Sequence, residues 1–225
     1  SICSVQVRPS RAGSVNGISG VGHSFLVENV ELINLGSRAG EAFGIFIGNF
    51  DGSDVARPSH VVIRNCKVHK PWPESSAGFS AITPTGNNVW SGVIEGCYID
   101  LSAAPQAQTG GYAFAGSPHG LVIAHDTAMG CLRGVHVDTP GSYAPKAARN
   151  VIISHNRFYD CGEAIGIGAP DDTPFRTDHF ENFTIESNDI EIVRGGTGIG
   201  LWGSTTAFQV RNNTITKSPA APLGN

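Results

Sequence analysis

The chain has 225 residues, 40% of them hydrophobic and only 15% charged, with 29 glycines and a formal net charge of −4. That charge gives no footprint for nucleic acid, and no apolar run is long enough to form a membrane-spanning helix. The length suits one elongated domain with a continuous core.

In chain order, residues 1–23 form an irregular N-terminal segment with a strand at Val5–Val7 and a glycine-rich stretch. Residues 24–218 then repeat one phrase seven times. It opens at an anchor residue, in turn Val27, Ile63, Ile94, Ile123, Ile153, Ile185 and Val210. The anchors recur about every 30 residues, the mark of a stacked array. Two positions earlier stand Phe25, Val61, Gly92, Leu121, Val151, Phe183 and Phe208. Five positions later stand Leu32, Val68, Ile99, Ala128, Phe158, Ile190 and Ile215. Between these inward groups fall Asn29, Asn65, Gly96, His125, His155, Ser187 and Asn212, several of a type that tolerates left-handed backbone. Each phrase therefore reads as strand, tight bend, strand.

A third strand follows in each of six coils, at 44–48, 79–83, 112–116, 134–138, 164–168 and 198–202. Its expected inward residues are Ile45/Ile47, Ser80/Ile82, Ala113/Ala115, Val135/Val137, Ile165/Ile167 and Ile199/Leu201. Three short strands per coil and no amphipathic helix predict an all-β parallel β-helix of about seven coils. The phrase resembles that of right-handed parallel β-helices of the pectate-lyase-like superfamily. Residues 219–225 read as a proline-rich tail or the start of a truncated next coil, so the chain reads as one piece of a larger β-helix.

Like residues stack in such an array about 4.8 Å apart. Asn156, Asn188 and Asn213 predict an asparagine ladder, in a column that also holds Val30, Cys66, Cys97 and Asp126. Cys131 and Cys161 stack in another column. The cysteine count of five is odd, and no spacing suggests zinc. Both stacked pairs are close enough for disulfides, with buried free thiols the favoured reading.

The outward face of the third strand carries the candidate chemistry. Its glycines and alanines predict a low floor, with Phe46, Phe114 and Trp202 as aromatic platforms for a sugar chain. His136 and Asp138 point the same way on one strand; the carboxylate orients the imidazole as a general base or acid. Arg133 would neutralise a uronate carboxylate. A second cluster lies in the following loop, where Asp171 and Asp172 are reserve catalytic carboxylates. Arg176, Glu163 and His119 complete the expected substrate contacts.

The resemblance implies a substrate cleft along this strand, a polysaccharide substrate, and lyase or hydrolase chemistry. It lends no catalytic residue: the Asn-Thr-Asp, Asp-Asp and Gly-His-Gly set of polygalacturonases is not reproduced, nor is the arginine-rich pattern of pectate lyases. The same features suit a non-catalytic adhesin, tailspike or surface domain that binds glycans. An extracellular, cell-surface or periplasmic location is expected. No metal or cofactor is expected, calcium at Asp51–Asp54 being the one exception weighed, and that spacing lacks a full ligand set. An outward apolar stripe of Leu26, Val62, Val93, Val122 and Ile152 predicts cover by the loops at 49–60, 140–150 and 169–182, or by a further subunit.

Overall fold

The computed structural model describes residues 3–6, 17–20, 24–36, 42–47, 60–69, 79–84, 91–103, 111–116, 119–137, 147–168, 179–193 and 196–218. In chain order the strands begin with β1 (Cys3–Gln6), β2 (Ile18–Gly20), β3 (Ser24–Glu28), β4 (Val30–Ile33), β5 (Ala42–Ile47), β6 (His60–Arg64), β7 (Lys67–His69) and β8 (Phe79–Pro84). The middle coils hold β9 (Gly92–Glu95), β10 (Tyr98–Asp100), β11 (Gly111–Gly116), β12 (Leu121–Ala124), β13 (Thr127–Met129), β14 (Arg133–Val137) and β15 (Ala147–Ser154). The last are β16 (Arg157–Tyr159), β17 (Glu163–Ile167), β18 (His179–Glu186), β19 (Asp189–Ile192), β20 (Thr197–Leu201), β21 (Ser204–Arg211) and β22 (Thr214–Lys217).

Every third strand joins the same sheet. The first sheet runs β1-β4-β7-β10-β13-β16-β19-β22, the second β2-β5-β8-β11-β14-β17-β20, and the third β3-β6-β9-β12-β15-β18-β21. All the pairings are parallel, and the described residues contain no helix. This is the predicted parallel β-helix. The stack starts earlier than residue 24, because β1 pairs with β4 and β2 with β5.

The anchors align as one column. Val27 faces Ile63, then Ile94, Ile123, Ile153, Ile185 and Val210 in turn. Ile63, Ile94, Ile123, Ile153 and Ile185 are buried, each contributing about 1.5–3 kcal/mol by leaving water. The bend column is left-handed throughout, with φ of 57° at Asn29, 53° at Asn65, 66° at Gly96, 58° at His125, 56° at His155, 55° at Ser187 and 56° at Asn212. A second left-handed column, Gly120, Asn150, Asn182 and Ala207, makes another corner. There Asn182 Nδ2 donates to Asn150 Oδ1 at 2.8 Å.

The third-strand register holds with one correction. Ile45, Ile82, Phe114, Val135, Ile165 and Ile199 share a column. Phe114 is thus an inward residue, 1% exposed, and not a platform for sugar. Large rings in so narrow a core need space nearby. Gly134 provides it for Phe158: a Cβ there would meet the Phe158 ring and the Ala164 carbonyl. Phe46 is also nearly buried, its ring 4.8 Å from that of Phe43.

The polar ladder runs as expected and extends by one coil. Asn156 Oδ1 accepts from Asp126 N at 2.9 Å, and Asn156 Nδ2 donates to Ile123 O at 2.9 Å. Asn188 repeats this with Asn156 N and Ile153 O, both at 3.0 Å. Asn213 repeats it with Asn188 N at 3.0 Å and Ile185 O at 2.9 Å. Asp126 occupies the same column, accepting from Cys97 N at 2.6 Å. Its Oδ2, standing where an asparagine has its donor, is buried without a partner. Burial is the main cause that pushes the Asp126 carboxyl up to about 8. Cys66, Cys97, Cys131 and Cys161 are free buried thiols.

The outward stripe aligns as Leu26, Val62, Val93, Val122 and Ile152. Leu26 is 65% exposed and Ile152 39%, with the three valines between them half-buried. The loops expected to cover it lie mostly outside the described residues.

Candidate functional site

The second sheet brings four polar and aromatic side chains together on its outward face. Arg133 opens β14 and Glu163 opens β17, and the two are directly opposed in the register. One coil on, Trp202 follows the end of β20, and its backbone N–H donates to Ile167 O at 2.7 Å. His136 lies on β14, opposite Gly166 of β17, which in turn faces Gly200 of β20.

Glu163 is the hub. Its Oε2 lies 2.8 Å from Arg133 Nε, and its Oε1 accepts from Trp202 Nε1 at 2.9 Å. The Arg133 and Glu163 side chains are only 16% and 11% exposed, so this pair is shielded from the screening that weakens surface bridges. Arg133 also presents Nη1 to His136, at 2.7 Å from Nδ1 and 3.2 Å from Nε2. A guanidinium only donates, so His136 accepts through a ring nitrogen, and Nδ1 is the nearer of the two.

The glycines beneath explain how a carboxylate fits here. A Cβ at Gly166 would strike Glu163 Oε2, and one at Gly200 would strike Glu163 Oε1 and crowd the Trp202 indole nitrogen. The low floor predicted for the strand is therefore real at these two coils, and the Glu163 carboxylate occupies it. The result is a fixed constellation: a partly buried arginine, a histidine accepting from it, and an indole edge, all tied to one carboxylate.

Of the expected site residues, the structure joins Arg133, His136, Glu163 and Trp202. Phe114 is excluded by its burial in the core. His119 stands apart on the third sheet, bridged to Arg149 ahead of β12. Asp138, Asp171, Asp172 and Arg176 lie outside the described residues, as does the calcium candidate at Asp51–Asp54. Among the described residues no group of three or more His, Cys, Asp or Glu is placed to hold a metal ion. No helix of the described residues is long and apolar enough to cross a membrane. The sequence places Glu163 just ahead of the third strand as a substrate contact and does not reveal its role as hub. The usable signal was register: Arg133 and Glu163 each stand two residues before an inward β-branched residue, Val135 and Ile165, in successive coils.

A family model described as "Right handed beta helix region" matches residues 16–217. Among solved structures, the chain is similar to the tailspike protein of E. coli bacteriophage HK620, a double mutant in complex with a pentasaccharide, at 15% identity and a TM-score of 0.49. That match covers 96% of this chain and 51% of the other, so the chain spans about half the length of the tailspike. No curated protein matches the chain in sequence.

Proposed function

We propose a polysaccharide-directed role for this chain, which belongs to the right-handed β-helix family. The observation that carries the reading is the Arg133–Glu163–Trp202 constellation with His136 beside it, on the outward face of one sheet. An indole edge offers an apolar platform for a sugar face, and Arg133 offers a fixed cation for an acidic sugar.

Lyase chemistry fits these residues better than hydrolysis. Glycoside hydrolysis ordinarily takes two carboxyl groups flanking the scissile bond. Here the site has one carboxylate among the described residues, with both oxygens engaged. In the lyase reading, a uronate carboxylate draws the Arg133 Nη1 proton donor to itself. That releases the lone pair of His136 Nδ1, which takes the proton α to the carboxylate. The C–O bond to the leaving sugar then breaks, and its electron pair leaves with the oxygen while a C=C bond forms. Glu163 holds Arg133 throughout as a positioning residue, Asp138 is the proposed partner of His136, and Asp171 and Asp172 remain the reserve carboxylates. Handling of extracellular or cell-surface glycans is the setting that suits such a site.

A second reading, glycan binding without chemistry, is favoured by one observation: both Glu163 oxygens, the Trp202 Nε1–H and the Arg133 Nε–H are already paired, as a rigid recognition surface requires. A polysaccharide panel separates the readings. The lyase reading expects new ultraviolet absorbance from unsaturated uronate ends with the wild type, lost in His136→Ala. Reducing ends without absorbance indicate hydrolysis. Retention of glycan with neither product indicates a binder, and full activity in His136→Ala removes the assigned site.

A further inference from the structure

Directly before the site residues, two cysteines of adjacent coils meet. Cys131 and Cys161 stand two positions ahead of Arg133 and Glu163, at equivalent points in successive coils. Backbone bonds pin both segments together: Gly130 N donates to Tyr159 O at 3.0 Å, Gly162 N to Cys131 O at 3.0 Å and Glu163 N to Leu132 O at 2.8 Å. Parallel backbones so paired lie about 4.8 Å apart, inside the window of about 4.4–6.8 Å between Cα atoms that a disulfide spans. The two Sγ atoms are 2.9 Å apart, within about 0.9 Å of a covalent S–S length. Cys161 Sγ also lies 3.7 Å from Tyr159 O and 3.8 Å from Ala128 O. The thiols of the other stacked pair face each other too and share their contact with backbone carbonyls. Cys66 Sγ donates to Arg64 O at 3.3 Å, and Cys97 Sγ lies 3.7 Å from Glu95 O and 3.9 Å from Ile63 O.

We propose that Cys131 and Cys161 form a cross-coil disulfide that fastens the coil carrying Arg133 to the coil carrying Glu163. The oxidant is a small disulfide of the glutathione class. One cysteine thiolate attacks the oxidant's S–S bond and releases one thiolate. The second cysteine thiolate attacks the resulting mixed disulfide, the Cys131–Cys161 bond forms, and the second small thiolate leaves. The pair loses two electrons and two protons, and the oxidant is reduced to two thiols. Both sulfurs are buried in the folded chain, and burial pushes the Cys131 thiol well above its ordinary range. Exchange therefore takes place while the chain folds, and the finished bond is shielded from reductant. Its effect is to make the spacing of the Arg133–Glu163 pair covalent in origin. This inference stands on the two coils alone and does not depend on what the site binds.

The test refolds the full chain from denaturant in a mixture of reduced and oxidised glutathione, alkylates the remaining thiols, and maps peptides without reduction. The expected product has Cys131 linked to Cys161, with Cys3, Cys66 and Cys97 alkylated. The oxidised protein then melts roughly 10 °C above its reduced form, from closing a loop of about 30 residues, and Cys131→Ser removes both the linked peptide and the shift. Five alkylated cysteines, or linkage of Cys66 to Cys97 in preference, overturns the proposal. A linked peptide without any melting shift overturns the claim that the bond fastens the two coils.

Discussion

Asp126→Asn is predicted to stabilise the protein near neutral pH and to leave it unchanged in acid. The ladder explains why. Asn156, Asn188 and Asn213 each give a side-chain N–H to an anchor carbonyl one coil back. Asp126 holds the same position with an oxygen that has no partner, so the protonated acid is the form that fits. Its carboxyl is raised, by burial first, from 3.8 to about 8. The native state therefore binds a proton that the unfolded chain releases above 3.8. For a raised carboxyl the cost of folding is absent below that value, grows as pH rises, and levels off above about 8. At pH 7 it reaches about 4 kcal/mol, from the difference between the two states at roughly 1.4 kcal/mol per pH unit. Asparagine supplies the missing donor and removes the titration. Urea midpoints of both proteins, read from pH 4 to pH 9, should coincide at the acid end and diverge upward, with the variant more stable. Parallel profiles, or a less stable variant at pH 7, would refute the assignment of Asp126 as a neutral ladder member.

Three further outcomes follow from the same geometry. Ile123→Ala empties the middle of the anchor column and should cost about 2–5 kcal/mol in urea denaturation. Glu163→Ala leaves Arg133 without its carboxylate in a shielded position; a loss of about 3 kcal/mol is expected, together with loss of glycan binding or turnover. Gly166→Ala should be milder in stability yet strong at the site, because its methyl displaces the Glu163 carboxylate: glycan affinity is expected to fall roughly tenfold, about 1.4 kcal/mol, while the far-ultraviolet circular dichroism of the strands stays unchanged.

Much of the architecture was written in the sequence because a stacked coil repeats its constraints. The anchors, the left-handed bends at Asn29, Asn65 and His125, and the asparagine ladder recur at fixed offsets, so a reading of one coil checks itself against the next. The third strand was harder, for its offset from the anchor varies with the loops between. That is why Phe114 was assigned outward: Ala113 and Ala115 fit an inward pair by size, and only the pairing with Ile82 and Val135 places the ring inside. The site was legible as residue types and not as contacts. Arg133 next to His136 was visible along one strand, whereas the bond from Trp202 to Glu163 spans 39 residues and depends on the emptiness above Gly166 and Gly200. Glycine in a strand signals close approach without naming what approaches.

The central claim is that Trp202, Arg133 and His136 form one glycan-contacting surface held by Glu163. Its most direct test is the fluorescence of a Trp72→Phe/Trp90→Phe protein, in which Trp202 is the remaining indole, titrated with acidic and with neutral oligosaccharides. A saturable change with the acidic series, abolished by Arg133→Ala, is the predicted result. An unchanged signal with every oligosaccharide, under conditions where the protein demonstrably retains polysaccharide, would place the glycan elsewhere on the β-helix and contradict the account.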